Sequence, residues 1–173
     1  LYSSAASDVY KRQAYGSEDG LYINGHVTGN SPYLTFEWKT DNESKYHEVQ
    51  TRLIGEYNFP NALAAVTIGH FFGVEPEKID KALAGYTPQN NRSQLKKTAD
   101  NTLIIDAYNA NPTSMMASIS NFRNMQAENK MLILGDMREL GKDSADEHQK
   151  IADYLEECGF KDVVLVGELF AAT

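Results

Sequence analysis

The 173-residue sequence has a single cysteine, Cys158, so it cannot form an internal disulfide. Cys158 and the four histidines fall in no spacing that suggests a zinc site. No stretch approaches the roughly 20 consecutive apolar residues that span a bilayer, and the N-terminus lacks the apolar centre of a secretory signal. No membrane insertion or targeting signal is expected, and a reducing cytoplasm fits. Positive charge is scarce: 16 Lys and Arg stand against 24 Asp and Glu, a formal net charge of −8. The basic residues are scattered, which disfavours nonspecific nucleic-acid binding. A glycine-rich phosphate loop of the GxxxxGK[ST] kind is also missing, so ATP chemistry read from this chain would lack its phosphate cradle. What is present, 42% hydrophobic and 23% charged residues, is ordinary for a folded protein with a real core, as one medium domain or two smaller ones.

The chain changes character twice. Residues 1–13, "LYSSAASDVYKRQ", follow neither helical nor strand periodicity. "DVYKRQ" can be encoded by the end sequence of a commonly used sequencing-library transposon, so the segment reads as a non-native, adapter-derived stretch. From residue 20 to 54, "LYINGHV", "PYLTFEWK" and "YHEVQTRLI" alternate and are separated by the turn-forming clusters "TGNS" and "TDNES", which predicts three antiparallel strands. In "GEYNFPNALAAVTIGHFFGV", Leu63, Val66, Thr67, His70 and Phe71 share a helical face. Pro60 suits a first turn, Asn58 a cap and Gly73 a stop. A second short helix is expected in "EPEKIDKALAGY", with Ile79, Ala82 and Leu83 inward.

After the polar, turn-prone "TPQNNRSQ" the rhythm becomes strand and helix in alternation: "TLIIDAY", "PTSMMASISNFRNMQ", "KMLILGD", "SADEHQKIADYLEECG", "KDVVLVGE". Short continuous apolar runs mark a parallel sheet covered on both faces, so the fold class is α/β. The domain change falls near residues 92–98, giving a first domain over 14–95 and a second over 96–173. With only three such strands before Thr173, the second reads as the front half of a doubly wound domain, with apolar faces and a strand edge uncovered.

Ligands of parallel sheets bind beyond the carboxyl ends of the strands. Asp106 ends one strand, where a carboxylate can accept both hydroxyls of a ribose. Asn109 and Asn111 add amide donors beside a helix start, which favours anions. The competing reading is that Asp106 and Asn111 cap the helix beginning near Pro112. In "GDMRELG", Asp136 and Glu139 could meet a metal or an amine, or simply line a solvated turn. Arg92, alone in a polar interdomain stretch, could reach a phosphate or serve as a solvated linker residue. Met115, Met116, Ile119, Phe122 and Met125 follow helical spacing and read as core. His70 reads as a hydrogen-bonded core histidine and His148 as exposed. His26 and His47 show no partner. No Ser/His/Asp or Cys/His nucleophile arrangement is present.

Four motifs in order, "GEYNFPNALAAVTIGHFFGV", "NNRSQ", "IIDAYNANPTSM" and "LILGDMRELG", resemble the Mur ligase family from about residue 17 onward. The resemblance implies the end of the family's central ATPase domain followed by the first half of its Rossmann-like C-terminal domain. The phosphate loop, the Mg2+ ligands and the modified lysine would then lie in upstream segments. It implies ATP as cofactor, with Asn58 and Asn61 near the adenine, Arg92 on the phosphates, Asp106 on the ribose, and Tyr108 and Asn111 lining the same cleft. Tyr57 stands where relatives often carry histidine and is left unassigned. "YNANPTSM" with "GDMRELG" points to the member whose substrates are UDP-N-acetylmuramoyl-tripeptide and D-alanyl-D-alanine, joined through an acyl phosphate, with a monomer as the family expectation. The chain alone would be inactive. The alternatives are a noncatalytic nucleotide- or peptide-binding module, or a related ligase of the amino-acid-adding or folylpolyglutamate type.

Overall fold

A computed structural model describes residues 14–89 and 91–173; the adapter-like segment lies outside them. The chain divides into two compact units between Pro88 and Gln89.

The first unit is built on a four-stranded sheet in the order β1 (Tyr15–Gly16), β2 (Ile23–Gly29), β3 (Tyr33–Thr40), β4 (His47–Ile54). The three expected strands pair antiparallel, while the two-residue β1 adds a parallel edge that the sequence does not announce. β3 alternates strictly, turning Leu34, Phe36 and Trp38 inward. Against that face lie helix α1 (Phe59–Phe71) and helix α2 (Pro76–Gly85), which contribute Ala62, Leu63, Val66 and Ile79 to the core. Gly25 allows the approach of α1: a Cβ there would stand 2.8 Å from the Glu37 carbonyl oxygen and 2.9 Å from Leu63.

α1 ends as its glycine predicts. Gly73, at φ 76°, donates its N–H to the His70 carbonyl, and Val74 donates to that of Gly69. This pairing closes a helix on a left-handed residue. Three expectations need correction. Asn58 makes no side-chain cap bond and donates instead to the Ile54 carbonyl at 2.8 Å. Phe71 is 52% exposed, because the helix ends at this residue and nothing of the first unit's core extends beneath it. Ala82 is exposed as well, since Ile79 and Leu83 are the α2 residues that pack into the apolar core.

In the second unit, β5 (Gln94–Lys97) and β6 (Thr102–Ile105) form an antiparallel hairpin. Helix α3 (Pro112–Asn124) follows, then β7 (Met131–Gly135), α4 (Ser144–Cys158), β8 (Asp162–Val166) and the short α5 (Glu168–Ala171). β7 and β8 pair in parallel, Met131 opposite Asp162 through Gly135 opposite Val166. Helices α3 and α4 supply Met115, Ile119, Ile151 and Leu155 to a core with Leu132, Met137 and Phe170. Among the described residues no ladder joins β6 to the parallel pair. The hairpin, expected as turn and parallel strand, closes locally because Thr98 and Asn101 exchange backbone and hydroxyl bonds across its tip. On the parallel pair, Leu132 and Leu134 face the core while Met131, Ile133, Val164 and Val166 remain 41–67% exposed.

Candidate functional site

The carboxyl end of β6 carries the most developed constellation in the second unit. Asp106 leaves the strand beside the turn Asn91–Ser93, whose Asn91 carbonyl accepts the Ala107 N–H at 2.8 Å. Both Asp106 oxygens are held there: Oδ1 accepts the Ser93 N–H at 3.2 Å and Oδ2 the Ser93 hydroxyl at 3.4 Å. The intervening Arg92 turns its guanidinium over the Tyr108 ring, 3.8 Å from the centroid, a cation–π arrangement. Asp106, Arg92 and Tyr108 are all exposed, so an anchored carboxylate, a cation and an aromatic face solvent within one turn of chain.

Asp106 is not a helix cap, but Asn111 is. Its Oδ1 accepts the Ser114 N–H at 2.9 Å, and the Ser114 hydroxyl accepts the Asn111 N–H in return, a reciprocal capping box. Asn109 receives the next residue's N–H at 2.9 Å. Of the six residues expected at a nucleotide, three therefore meet at the β6 turn and Asn111 stands at the following helix start. Asn58 and Asn61 belong to the first unit, at the start of α1, where Asn61 donates to Asn58 at 3.4 Å.

A second feature lies where β7 and β8 end. The loop from Asp136 to Gly141, with Ser144 and Gly167 to Leu169, lines a cavity of about 650 Å³. Asp136 accepts the N–H groups of Leu169 and Phe170 at 3.1 and 3.0 Å. Its partial burial opposes the charge, but those two bonds, with Arg138 nearby, hold its carboxyl below the ordinary value. Gly167 makes this approach possible: a Cβ would fall 2.1 Å from the Asp136 carboxylate. His148, expected to be exposed, is fully buried. It lies on the inward face of α4 with Ile151 and Leu155, accepts the Met137 N–H at Nε2 (3.0 Å), and meets the Ser144 carbonyl through Nδ1 at 2.6 Å. The spacing of 148, 151 and 155 carries that signal. Asp136, for which the sequence left open a metal or amine partner and a solvated turn, is held in a structural bond set.

Two of the other histidines, His26 and His47, have partners in the first unit, contrary to expectation. His26 lies 3.5 Å from Glu37. His47 stacks on Trp38 and stands 3.4 Å from Asp80 and 3.6 Å from Glu43. Trp38 donates its indole N–H to Asp80 at 2.7 Å, tying α2 to the sheet, while burial pushes the Asp80 carboxyl up against these bonds. His70 is half-buried against the Tyr22 ring. No group of three or more His, Cys, Asp or Glu among the described residues could hold a metal ion, and no described helix is long and apolar enough to cross a membrane.

Comparison with known proteins gives this geometry a context. Residues 91–172 match the family model "Mur ligase, glutamate ligase domain". A UDP-N-acetylmuramoyl-tripeptide–D-alanyl-D-alanine ligase of Bacillus subtilis is 45% identical over 91 residues, 51% of this chain and 20% of that protein. The Escherichia coli ligase of the same name is 31% identical over 153 residues, 88% of this chain and 33% of that protein. Among solved structures, MurF from Acinetobacter baumannii superposes with a TM-score of 0.81 at 30% identity, covering 92% of this chain and 34% of that one. The MurF ligase of Thermotoga maritima, solved with ADP, shares the fold at 18% identity and a TM-score of 0.70, covering 88% of this chain and 38% of that one. The chain thus spans a fifth to a third of the length of those two relatives.

Proposed function

The chain belongs to the Mur ligase family, and from that premise we propose that it is part of an ATP-dependent peptidoglycan-precursor ligase joining D-alanyl-D-alanine to UDP-N-acetylmuramoyl-tripeptide. The first unit, ending at Pro88, is read as the end of the central ATP-binding domain and the second, from Gln89, as the first half of the Rossmann-like ligase domain, the division falling a few residues before the 95/96 boundary expected from sequence. The observation that carries the nucleotide part is the β6 turn, where Asp106 is anchored and exposed beside Arg92 and Tyr108. The substrate pair rests on the names of the relatives.

In this reading the tripeptide carboxylate takes a phosphoryl group from ATP, the dipeptide amine attacks the acyl phosphate, and phosphate leaves as the amide forms. Asp106 accepts the two ribose hydroxyls, and Arg92 leaves the Tyr108 ring to pair with phosphate oxygens, its planar donor fork matching them. Tyr108 keeps an aromatic face beside the nucleotide, and the Asn111 amide lies at the same helix start while its Oδ1 caps the helix. Asn58 and Asn61 are, by family resemblance, the residues proposed for the adenine. Mg2+, which would offset phosphate charge, would take the upstream ligands that the family resemblance implies. With no phosphate loop in its sequence, the chain alone is expected to be inactive.

Arg92→Ala and Asp106→Ala, each made in the complete ligase, test the reading. Each should raise the KM for ATP about tenfold or more, as expected for losing a charge-assisted hydrogen bond, and leave the KM for D-alanyl-D-alanine nearly unchanged. Wild-type ATP dependence in both variants would remove Arg92 and Asp106 from the nucleotide site.

A further inference from the structure

Ser93 sits in a polar turn yet is only 7% exposed. With Asn91 it adopts a positive φ, 58° for Asn91 and 45° for Ser93, a region that residues with a side chain enter at a cost. Such a conformation persists where surrounding bonds over-determine it, and here two of those bonds converge on one group. The Asn91 carbonyl takes the Ala107 N–H, while Ser93 gives its N–H to one Asp106 oxygen and its hydroxyl to the other. A carboxylate has about four lone-pair positions. The serine occupies one on each oxygen, which fixes the carboxylate plane and leaves one outward position on each. Two acceptors held in one plane at a fixed separation suit the two adjacent hydroxyls of a ribose.

We propose that Ser93 is a positioning residue that sets the Asp106 carboxylate for a vicinal diol and thereby fixes the site's preference for a ribonucleotide over a 2′-deoxyribonucleotide. This rests on the nucleotide reading above. A serine that merely ended the hairpin would affect both sugars alike; a serine that orients the carboxylate affects the ribonucleotide selectively.

The test titrates the ¹⁵N-labelled chain with ADP and with 2′-deoxy-ADP, following the Ser93 and Ala107 amide resonances, in wild type, Ser93→Ala, Ser93→Gly and Asp106→Asn. Ser93→Ala removes the hydroxyl under the same backbone demand. Ser93→Gly removes it while relieving the positive φ, so loss of folding cannot account for both results. Wild type should favour ADP by about tenfold, the worth of one hydrogen bond to a charged group. Both serine variants should narrow the preference to about threefold or less, through weaker ADP binding alone, and Asp106→Asn should abolish it. If both serine variants keep the wild-type ratio while Asp106→Asn reaches parity, the role of Ser93 is overturned and the ribose contact stands. Absence of ADP binding, equal binding of the two sugars by wild type, or a preference that survives Asp106→Asn overturns the ribose contact itself and the proposal with it.

Discussion

Asp136 shows how one side chain can join two loops. Its carboxylate takes two N–H groups at the start of α5 in space that Gly167 leaves open. Because its folded pKa lies below the ordinary value of about 3.9, its contribution to stability is fully present above that value and is lost as pH falls through the folded pKa. The stability difference between wild type and Asp136→Asn should therefore be constant at neutral pH and shrink below about pH 4, when measured by urea unfolding at a series of pH values. A difference that does not change between pH 6 and pH 3 would refute the assignment. Residues of this kind are hard to read from sequence. The spacing of His148, Ile151 and Leu155 shows that His148 faces inward, but its partner, the Met137 N–H, lies on another element. Ser93 is harder still, because its proposed role depends on a turn conformation that its residue type does not favour, whereas Arg92, Asp106 and Tyr108 are proposed from motif resemblance and meet at one turn.

At the scale of elements, α3 combines a structural start with a proposed ligand position. The Asn111–Ser114 box satisfies N–H groups that the first turn otherwise leaves unpaired. Asn111→Ala should cost about 1 kcal/mol of stability, and Asn111→Asp should restore most of it by supplying an equivalent acceptor. Thermal unfolding of the two variants decides this; equal loss in both would show that the cap bond contributes nothing. Elements whose signals are local were legible: the alternation of β3, the glycine stop of α1 and the capping asparagine of α3 each state their own geometry. β5 was not, because its four residues, two of them lysines, carry no apolar alternation, and their strand conformation comes from pairing with β6. The same reason hid the two-residue β1. Helix ends beyond the core, as at Phe71, are misread because periodicity describes a face without saying what covers it.

For the molecule as a whole, the surface sets charge against apolar area. The formal charge of −8 opposes the approach of two copies, while Ile133 at 67% and Phe72 at 77% exposure favour it. The repulsion acts over a distance that shrinks from about 30 Å at 0.01 M salt to 8 Å at 0.15 M; the apolar attraction does not weaken in the same way. Salt should therefore drive self-association. Light scattering by the chain is expected to rise between 10 and 300 mM NaCl, a range chosen to span that screening length. The outward face of the parallel pair is the first candidate for the contact because Ile133 and Val164 stand opposite each other in register. Ile133→Thr with Val164→Thr keeps β-branched side chains suited to a strand while removing apolar surface, and should reduce the salt-induced rise without lowering the unfolding temperature. Were the double variant to scatter as much as wild type while the same change at Phe71 and Phe72 abolished the rise, the contact would belong to the end of α1 in the first unit.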